Sequence, residues 1–340
     1  MKSTQKFAFG AAAGVGAGVF LARAARARFG ISFEDRIVVI TGGSRGLGLV
    51  MARLFAAEGA RVVLLARDGS ELDRARQDLQ ARGGQVLAIP CDIRRRADVR
   101  AAIDQIIDVC RGIDVLINNA GIIQVGPLEH MSAEDFENAT ATHFHGPLNL
   151  ILEVVPIMRH RSFGRIVNIG SIAGRVAVPH LAPYSASKFA LVGLSDAIRA
   201  ELDQYGIRVT TVTPGLMRTG SPRNALFKGQ HESEYALLKT VSSIPGLTIS
   251  AERAARKILE ACRFGDPELT ITPQARFVAL ASAALPGAAA RVLMLLSALL
   301  PRPAGQEGDA SRKGRELERR DGRSFVAVLT DRAAAANNEV

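Results

Sequence analysis

The chain has 340 residues, 48% of them hydrophobic and 22% charged, with a formal net charge of +10. The length would hold two domains, but only one series of alternating strands and helices is visible, so the sequence reads as one domain with extensions. The charge is not a nucleic-acid signature, because the first thirty residues carry five basic and no acidic residues, 275–340 carry a surplus of three, and no aromatic stacking platform or recognition motif accompanies them.

The divisions are 1–30, 31–274, 275–300 and 301–340. In the first, Phe7 to Ala22 is a run of sixteen uncharged residues between Lys6 and Arg23, with Gly10, Gly14 and Gly18 at four-residue spacing. It is slightly short for a span of about 20 residues, yet snorkelling flanks and a small-xxx-small face suit a membrane anchor. Basic flanks fit a membrane surface. If the run spans, Arg23, Arg26 and Arg28 put the catalytic domain on the cytoplasmic side. The rival is a cleaved signal peptide, for which Ala22-Arg-Ala24 is a poor cleavage site.

Arg36 to Thr41 is a β-branched run that stops at a glycine turn, Thr41-Gly-Gly-Ser-Arg-Gly-Leu-Gly48, before a helical pattern from Leu47 to Ala57. Gly42, Gly46 and Gly48, with Ser44, Arg45 and Leu47 between them, form a turn in which backbone amides and a helix start can meet a pyrophosphate. Its place after the first strand is where a dinucleotide fold keeps its phosphate site. The next strand ends at Ala66, where a preference for NAD would put an acidic residue. Arg67 follows, and with Arg45 it offers two guanidinium groups to a 2′-phosphate, which reads as NADP(H) favoured over NAD(H). Solvated surface arginines are the alternative. Asp68 lies one residue too far along for the NAD reading.

Further along, Ser171 precedes Tyr184 by thirteen residues, and Tyr184-Ser-Ala-Ser-Lys188 puts tyrosine and lysine one helical turn apart on a shared face. An ammonium beside the phenol predicts a pKa below its ordinary value of about 10, so that tyrosine can pass a proton near neutral pH. Strand-like runs end near Thr41, Ala66, Ile89, Asn118, Ser171, Thr213 and Thr272, as in a doubly wound parallel sheet of the Rossmann-like α/β class.

From about Arg36 to about Pro273 the chain resembles a single-domain short-chain dehydrogenase/reductase. The motifs that carry the resemblance are Thr41-Gly42-x-x-x-Gly46-x-Gly48, Cys91-Asp92-Ile93, Asn118-Asn-Ala-Gly121, Ser171, Tyr184-x-x-x-Lys188 and Pro214-Gly-Leu-Met-Arg-Thr219, in family order. The resemblance implies that Asp92 and Ile93 border the adenine, and that Asn118, Asn119, Ala120 and Gly121 support the central strand and line the cofactor. It also implies that Pro214, Gly215 and Thr219 hold the nicotinamide end, that Tyr184 and Lys188 contact the cofactor, and that the protein is a homo-oligomer. One position departs. The family's asparagine, about forty-one residues before the tyrosine, is replaced here by His143. An imidazole can donate and accept, so His143 either joins the proton relay and titrates near neutral pH, or only packs. His145 reads as structural.

Cys91, Cys110 and Cys262 are isolated and form neither a disulfide framework nor a zinc pattern, which suits reducing surroundings, and no catalytic metal is expected. Residues 216–248 should cover the substrate pocket, and they mix Arg218, Arg223, Lys228 and His231 with Leu226, Phe227, Leu237 and Leu238, leaving an acidic or a greasy substrate open. Phe277 to Leu300 is apolar but broken at Leu285-Pro-Gly287, which predicts two short helices in a membrane interface, over the pocket or packed on the domain. Residues 301–340 read as a solvated, disordered tail. The expected activity is interconversion of a small-molecule carbonyl and alcohol by an NADP(H)-dependent oxidoreductase, with Tyr184 moving the proton, Ser171 holding the oxygen and a lipophilic substrate. An epimerase or dehydratase with tightly held cofactor, or a membrane-tethered non-catalytic homologue, are the alternatives.

Overall fold

The computed structural model describes residues 26, 28–244, 246–318 and 328–339. The uncharged run from Phe7 to Ala22, and with it the expected anchor, lies outside them. The strands of the central sheet are β1 Ile37–Thr41, β2 Arg61–Ala66, β3 Gln85–Pro90, β4 Val115–Asn118, β5 Gly164–Ile169, β6 Ile207–Thr213 and β7 Glu268–Thr270. All pair in parallel, in the order β3-β2-β1-β4-β5-β6-β7. This is a doubly wound Rossmann-like sheet, and the chain changes direction of progress between β1 and β4.

The helices of eight residues or more are α1 Gly46–Ala57, α2 Gly69–Ala81, α3 Arg96–Cys110, α4 Ala133–Thr140, α5 Gly146–His160, α6 Ala182–Asp203, α7 His231–Val241, α8 Ala251–Phe264, α9 Pro273–Ala284, α10 Pro286–Ser297 and α11 Val328–Ala336. The alternation of side chains along β1 divides the core. Val38 and Ile40 pack with α1, α2 and α8, while Ile37 and Val39 pack with α3 and α5. Every residue of β1 is buried, as expected for a parallel strand covered on both faces. Each such aliphatic side chain contributes about 1.5–3 kcal/mol of burial. Cys91, Cys110 and Cys262 are buried and unbonded, and burial pushes the thiol of Cys91 up to about 11 and that of Cys262 up to about 12.

A smaller third core is formed by Val125, Ala225, Phe227, Tyr235 and Leu317. Within it Leu226–Phe227 pairs in parallel with Gln124–Val125 and antiparallel with Arg312–Lys313. The reading of 301–340 as a solvated tail is therefore corrected for its described parts. Gly308 accepts from the Gly229 amide at 2.8 Å, and Tyr235 donates to Glu318 at 3.0 Å. Polar composition misled because polar groups such as Gly308 and Glu318 find partners far away in sequence.

Helices α9 and α10 meet at 120° across Leu285. Neither has a buried large side chain: Phe277 is 73% exposed, Met294 and Leu295 72%, and Leu299, just beyond α10, 80%. Among the described residues no single helix is long and apolar enough to cross a membrane.

Candidate active site

The chemistry-bearing residues collect where the parallel strands end. β1 ends at Thr41, whose hydroxyl accepts from the amides of Asn119 and Ala120 at 2.9 and 3.0 Å, so the glycine turn is tied to the turn after β4. The Asn119 side chain donates to the carbonyls of Thr41 and Gly42 at 3.0 and 3.2 Å. Asn118 donates to Asn168 at 2.8 Å, and Asn168 to Ser195 at 3.0 Å, a buried chain joining β4, β5 and α6.

Gly42 has φ 61° and Gly46 φ 55°, in the left-handed region that favours glycine. A Cβ at Gly48 would collide with the Gly42 carbonyl oxygen. The first turn of α1 thus lies flush with the glycine loop, a cradle that a pyrophosphate fits. Facing it, Thr219 is buried and donates to Ser221 at 2.7 Å. The Pro214 carbonyl accepts from the Ile172 amide at 2.8 Å, and Gly215 abuts Thr272. Ile93 is buried beneath Gly146, and Asp92 is clasped by Arg94 at 2.6 Å, which holds its carboxyl below the usual range.

The arginines differ. Arg67 is exposed at the end of β2, and no acidic side chain stands at Ala66. The Asp68 carboxylate caps α2, accepting from the Glu71 amide at 3.0 Å and the Ser70 hydroxyl at 2.7 Å. Arg45 is not open: it binds Glu71 and Asn224, each at 2.9 Å, and Glu71 also accepts from Ser44 at 3.0 Å. Sequence reasoning missed Glu71. Its only sequence mark is an acidic residue in a helix's first turn, which the cap at Asp68 already explains.

Ser171 follows β5, and its hydroxyl oxygen accepts from the Ala173 amide at 3.1 Å. Tyr184 and Lys188 sit one turn apart on α6. The Lys188 ammonium donates to the Ile169 carbonyl at 2.7 Å and lies 5.8 Å from the Tyr184 ring centre. Here the expected electrostatics are corrected. Burial raises the Tyr184 pKa, and the hydrogen bond with Ser171 opposes that rise. Burial also lowers Lys188 to about 7. Spacing on a helix put the pair together but could not reveal that both heads are desolvated.

His143 lies in a π-helical turn, Ala141–His145, between α4 and α5, and its ring meets that of Tyr184 edge-on at 5.2 Å. Its Nε2 accepts from the Ile122 amide at 3.1 Å, which leaves the ring proton on Nδ1 to donate to Ser187 Oγ at 2.8 Å. Ser187 in turn donates to the carbonyls of Pro183 and Tyr184, each at 2.9 Å. Burial, with Lys188 nearby, holds the imidazole pKa well below its ordinary value. The expectation that His143 titrates near neutral pH is therefore corrected. His145 is exposed.

The basic side chains of the covering segment point to internal partners, Lys239 to Glu318 at 3.1 Å among them. Arg218 donates to Thr248 Oγ1 at 2.8 Å, Arg223 pairs with Glu318 at 3.2 Å, Lys228 with Asp135 at 2.7 Å, and His231 Nε2 lies 2.6 Å from the Ala310 carbonyl. Among the described residues no cluster of His, Cys, Asp and Glu could hold a metal ion.

A family model described as short chain dehydrogenase matches residues 36–226. The chain is 39% identical over 184 residues to the ketoacyl reductase HetN of a Nostoc species, covering 54% of this chain and 64% of that protein, just under two thirds of its length. A gluconate 5-dehydrogenase from Burkholderia cenocepacia, solved in complex with NADP and tartrate, matches with a TM-score of 0.64 at 26% identity, over 74% of this chain and 98% of that one. A short chain dehydrogenase/reductase from Burkholderia phymatum in complex with NAD shares the fold, with a TM-score of 0.69 at 24% identity over 76% of this chain and 96% of that one.

Proposed function

The chain belongs to the short-chain dehydrogenase family, and from that premise we propose that it interconverts a ketone or aldehyde with its alcohol, using NADP(H) in preference to NAD(H). The observation that carries this reading is the meeting of Ser171, Tyr184 and Lys188 at the end of β5, beside the glycine cradle. When bound, the nicotinamide cofactor supplies or takes the hydride. Tyr184 Oη passes the proton to or from the substrate oxygen, and Ser171 Oγ holds that oxygen. Lys188, bonded to the Ile169 carbonyl, stands beside the Tyr184 ring. His143 is a positioning residue. As a neutral imidazole it braces the Asn118–Gly121 turn through Ile122 and the Tyr184 backbone through Ser187.

The preference for NADP(H) is supported by exposed Arg67, by Ala66 in place of an acid, and by the commitment of Asp68 to capping. With Arg45 held by Glu71 and Asn224, Arg67 carries most of that preference. For the substrate we favour a lipophilic carbonyl, because Arg218, Arg223, Lys228 and His231, which could donate to an acidic group, are engaged internally.

A second observation concerns place. The exposed apolar faces of α9 and α10, with Arg276, Arg291 and Arg302 and no acidic residue from Leu269 to Gln306, suit the surface of an anionic bilayer. We assign this pair to that surface. The test of function is a carbonyl panel followed by NADPH oxidation; no oxidation with any carbonyl, together with no NADPH formed from the matching alcohols, would sink the reading. Loss of vesicle co-sedimentation on Leu295→Glu would support the surface assignment, and equal sedimentation with and without vesicles would refute it.

A further inference from the structure

The cradle has an occupant drawn from this chain. The Gly46 amide, at the start of α1, donates to the Asn337 carbonyl at 2.9 Å. Across the groove the Gly220 amide, next to Thr219, donates to the Glu339 carboxylate at 2.6 Å. The fit is close on both walls, since a Cβ at Gly46 would lie 3.1 Å from Glu339 Oε1 and one at Gly220 2.7 Å from Glu339 Cβ. Asn338 extends the contact along the loop. Its side chain donates to the carbonyls of Ser44 and Glu71 at 2.8 and 3.2 Å and accepts from Arg74 at 2.8 Å.

We infer that the segment from Val328 to Glu339 is an internal competitor of the dinucleotide, seated on the glycine cradle with a carboxylate where a phosphate would lie, and displaced when cofactor binds. The inference rests on the cofactor reading above. A carboxyl and a phosphate both present acceptor oxygens, so the backbone amides lining the groove can donate to either. With Gly46 donating to the Asn337 carbonyl and Gly220 to Glu339, the tail and a dinucleotide cannot hold these amides at once.

The segment is docked and not merely draped. Ala334, Asn337 and Thr330 are buried to within 2% exposure. Arg53 donates to Asn337 Oδ1 at 2.9 Å and to the Ala336 carbonyl at 3.0 Å, Asp331 pairs with Lys239 at 3.0 Å, and Thr330 meets Ser243. Around Glu339 stand Arg45 from the glycine loop, Glu71 from α2, Arg223 and Asn224 from the turn after Gly220, and Arg315 from the 3-10 turn Gly314–Glu316. Burial raises the Glu339 carboxyl to about 7, so its charge sits there at a disadvantage that favours release. A site closed by its own tail binds cofactor more weakly by the fraction of time it is open.

The experiment compares the full chain with a variant ending at Ala336, titrating each with NADPH and following the fluorescence of the bound nucleotide. The truncated form should bind NADPH tighter by about tenfold, as expected if the tail is seated roughly nine-tenths of the time. A peptide of residues 328–339 should restore the weaker affinity competitively. Equal or weaker NADPH affinity in a truncated form that melts like the full chain would overturn the inference while leaving the cofactor reading intact. Should truncation unfold the protein, hydrogen exchange on the full chain decides: saturating NADPH should expose the amides of 330–339 while protecting 42–48. Unchanged protection of 330–339 would overturn it. If no form binds NADPH or NADH, the cofactor reading falls and the competitor role falls with it.

Discussion

The two halves of the site are held by different means. The half proposed to handle the proton, Ser171, Tyr184 and Lys188 with His143 positioned beside them, is fixed from within the core: Lys188 bonds the Ile169 backbone, and His143 both accepts and donates in a buried place. The nucleotide half is fixed on the β1 side by Thr41 and Asn119, but its open face is closed by Asn337, Asn338 and Glu339. Groups that must keep one geometry through turnover are anchored by the sheet. Groups that must exchange a ligand are covered by contacts that can be replaced.

The strongest way to sharpen that contrast is Tyr184→Phe, which keeps the ring edge against His143 and removes the transferable proton. Turnover should fall roughly 10²–10⁴-fold, while NADPH affinity stays within about twofold. Near-normal turnover would end the assignment of Tyr184. Lys188→Ala should damage both quantities, because its ammonium serves both.

On the nucleotide side Arg67→Ala should weaken NADPH by roughly tenfold or more through loss of charge-assisted hydrogen bonds, with little effect on NADH. Titrating both nucleotides against both proteins measures it, and equal affinities for the two in the unmutated chain would defeat the preference for NADP(H).

A smaller effect separates the halves by pH. The seated Glu339 carboxyl is raised from 4.5 to about 7, so seating takes up a proton between those values. The stabilisation it adds to the docked tail is fully present below about 4.5 and is lost as pH rises through about 7. The ratio of NADPH dissociation constants, full chain over the variant ending at Ala336, should therefore be roughly threefold or more larger at pH 5.5 than at pH 8. Glu339→Gln should flatten it, and a ratio that rises with pH would contradict the seating geometry.

The least effect is expected at the family's departing position. His143 is held neutral, with a pKa well below its ordinary value, so it should add no limb to the pH–rate profile between about 6 and 8. His143→Asn should leave turnover within about threefold and the profile unchanged, whereas His143→Leu abandons the Ile122 amide and should lower stability by about 1–3 kcal/mol. A neutral-pH limb that disappears in His143→Asn would instead place the imidazole in the relay.

The sheet was legible because its signals are local. Arg36 to Thr41 is continuous and β-branched as a doubly covered strand must be, and the strands end at Thr41, Ala66, Asn118 and Thr213 where the sequence places breaks. The glycine turn was legible too, since glycine takes φ 61° without strain at Gly42, where a Cβ would also lie 2.9 Å from Ala120 Cα, and lets Gly48 approach the Gly42 carbonyl. The tail was misread for the converse reason. Nothing in Asn337-Asn338-Glu339 is apolar or periodic, and the segment is held by Arg53, Arg74, Ser44 and Gly220, each more than a hundred residues away.

Thus the sequence by itself determined the doubly wound sheet, the glycine cradle and the juxtaposition of Tyr184 with Lys188, because period and spacing along one strand or one helix dictate them. Only the tertiary structure decided the protonation of His143, the pairing of Arg45 with Glu71, the desolvation of Tyr184 and Lys188, and the seat of Glu339. Those depend on which distant groups exclude water from a charge, and burial of that kind leaves no mark on the residues immediately before and after it.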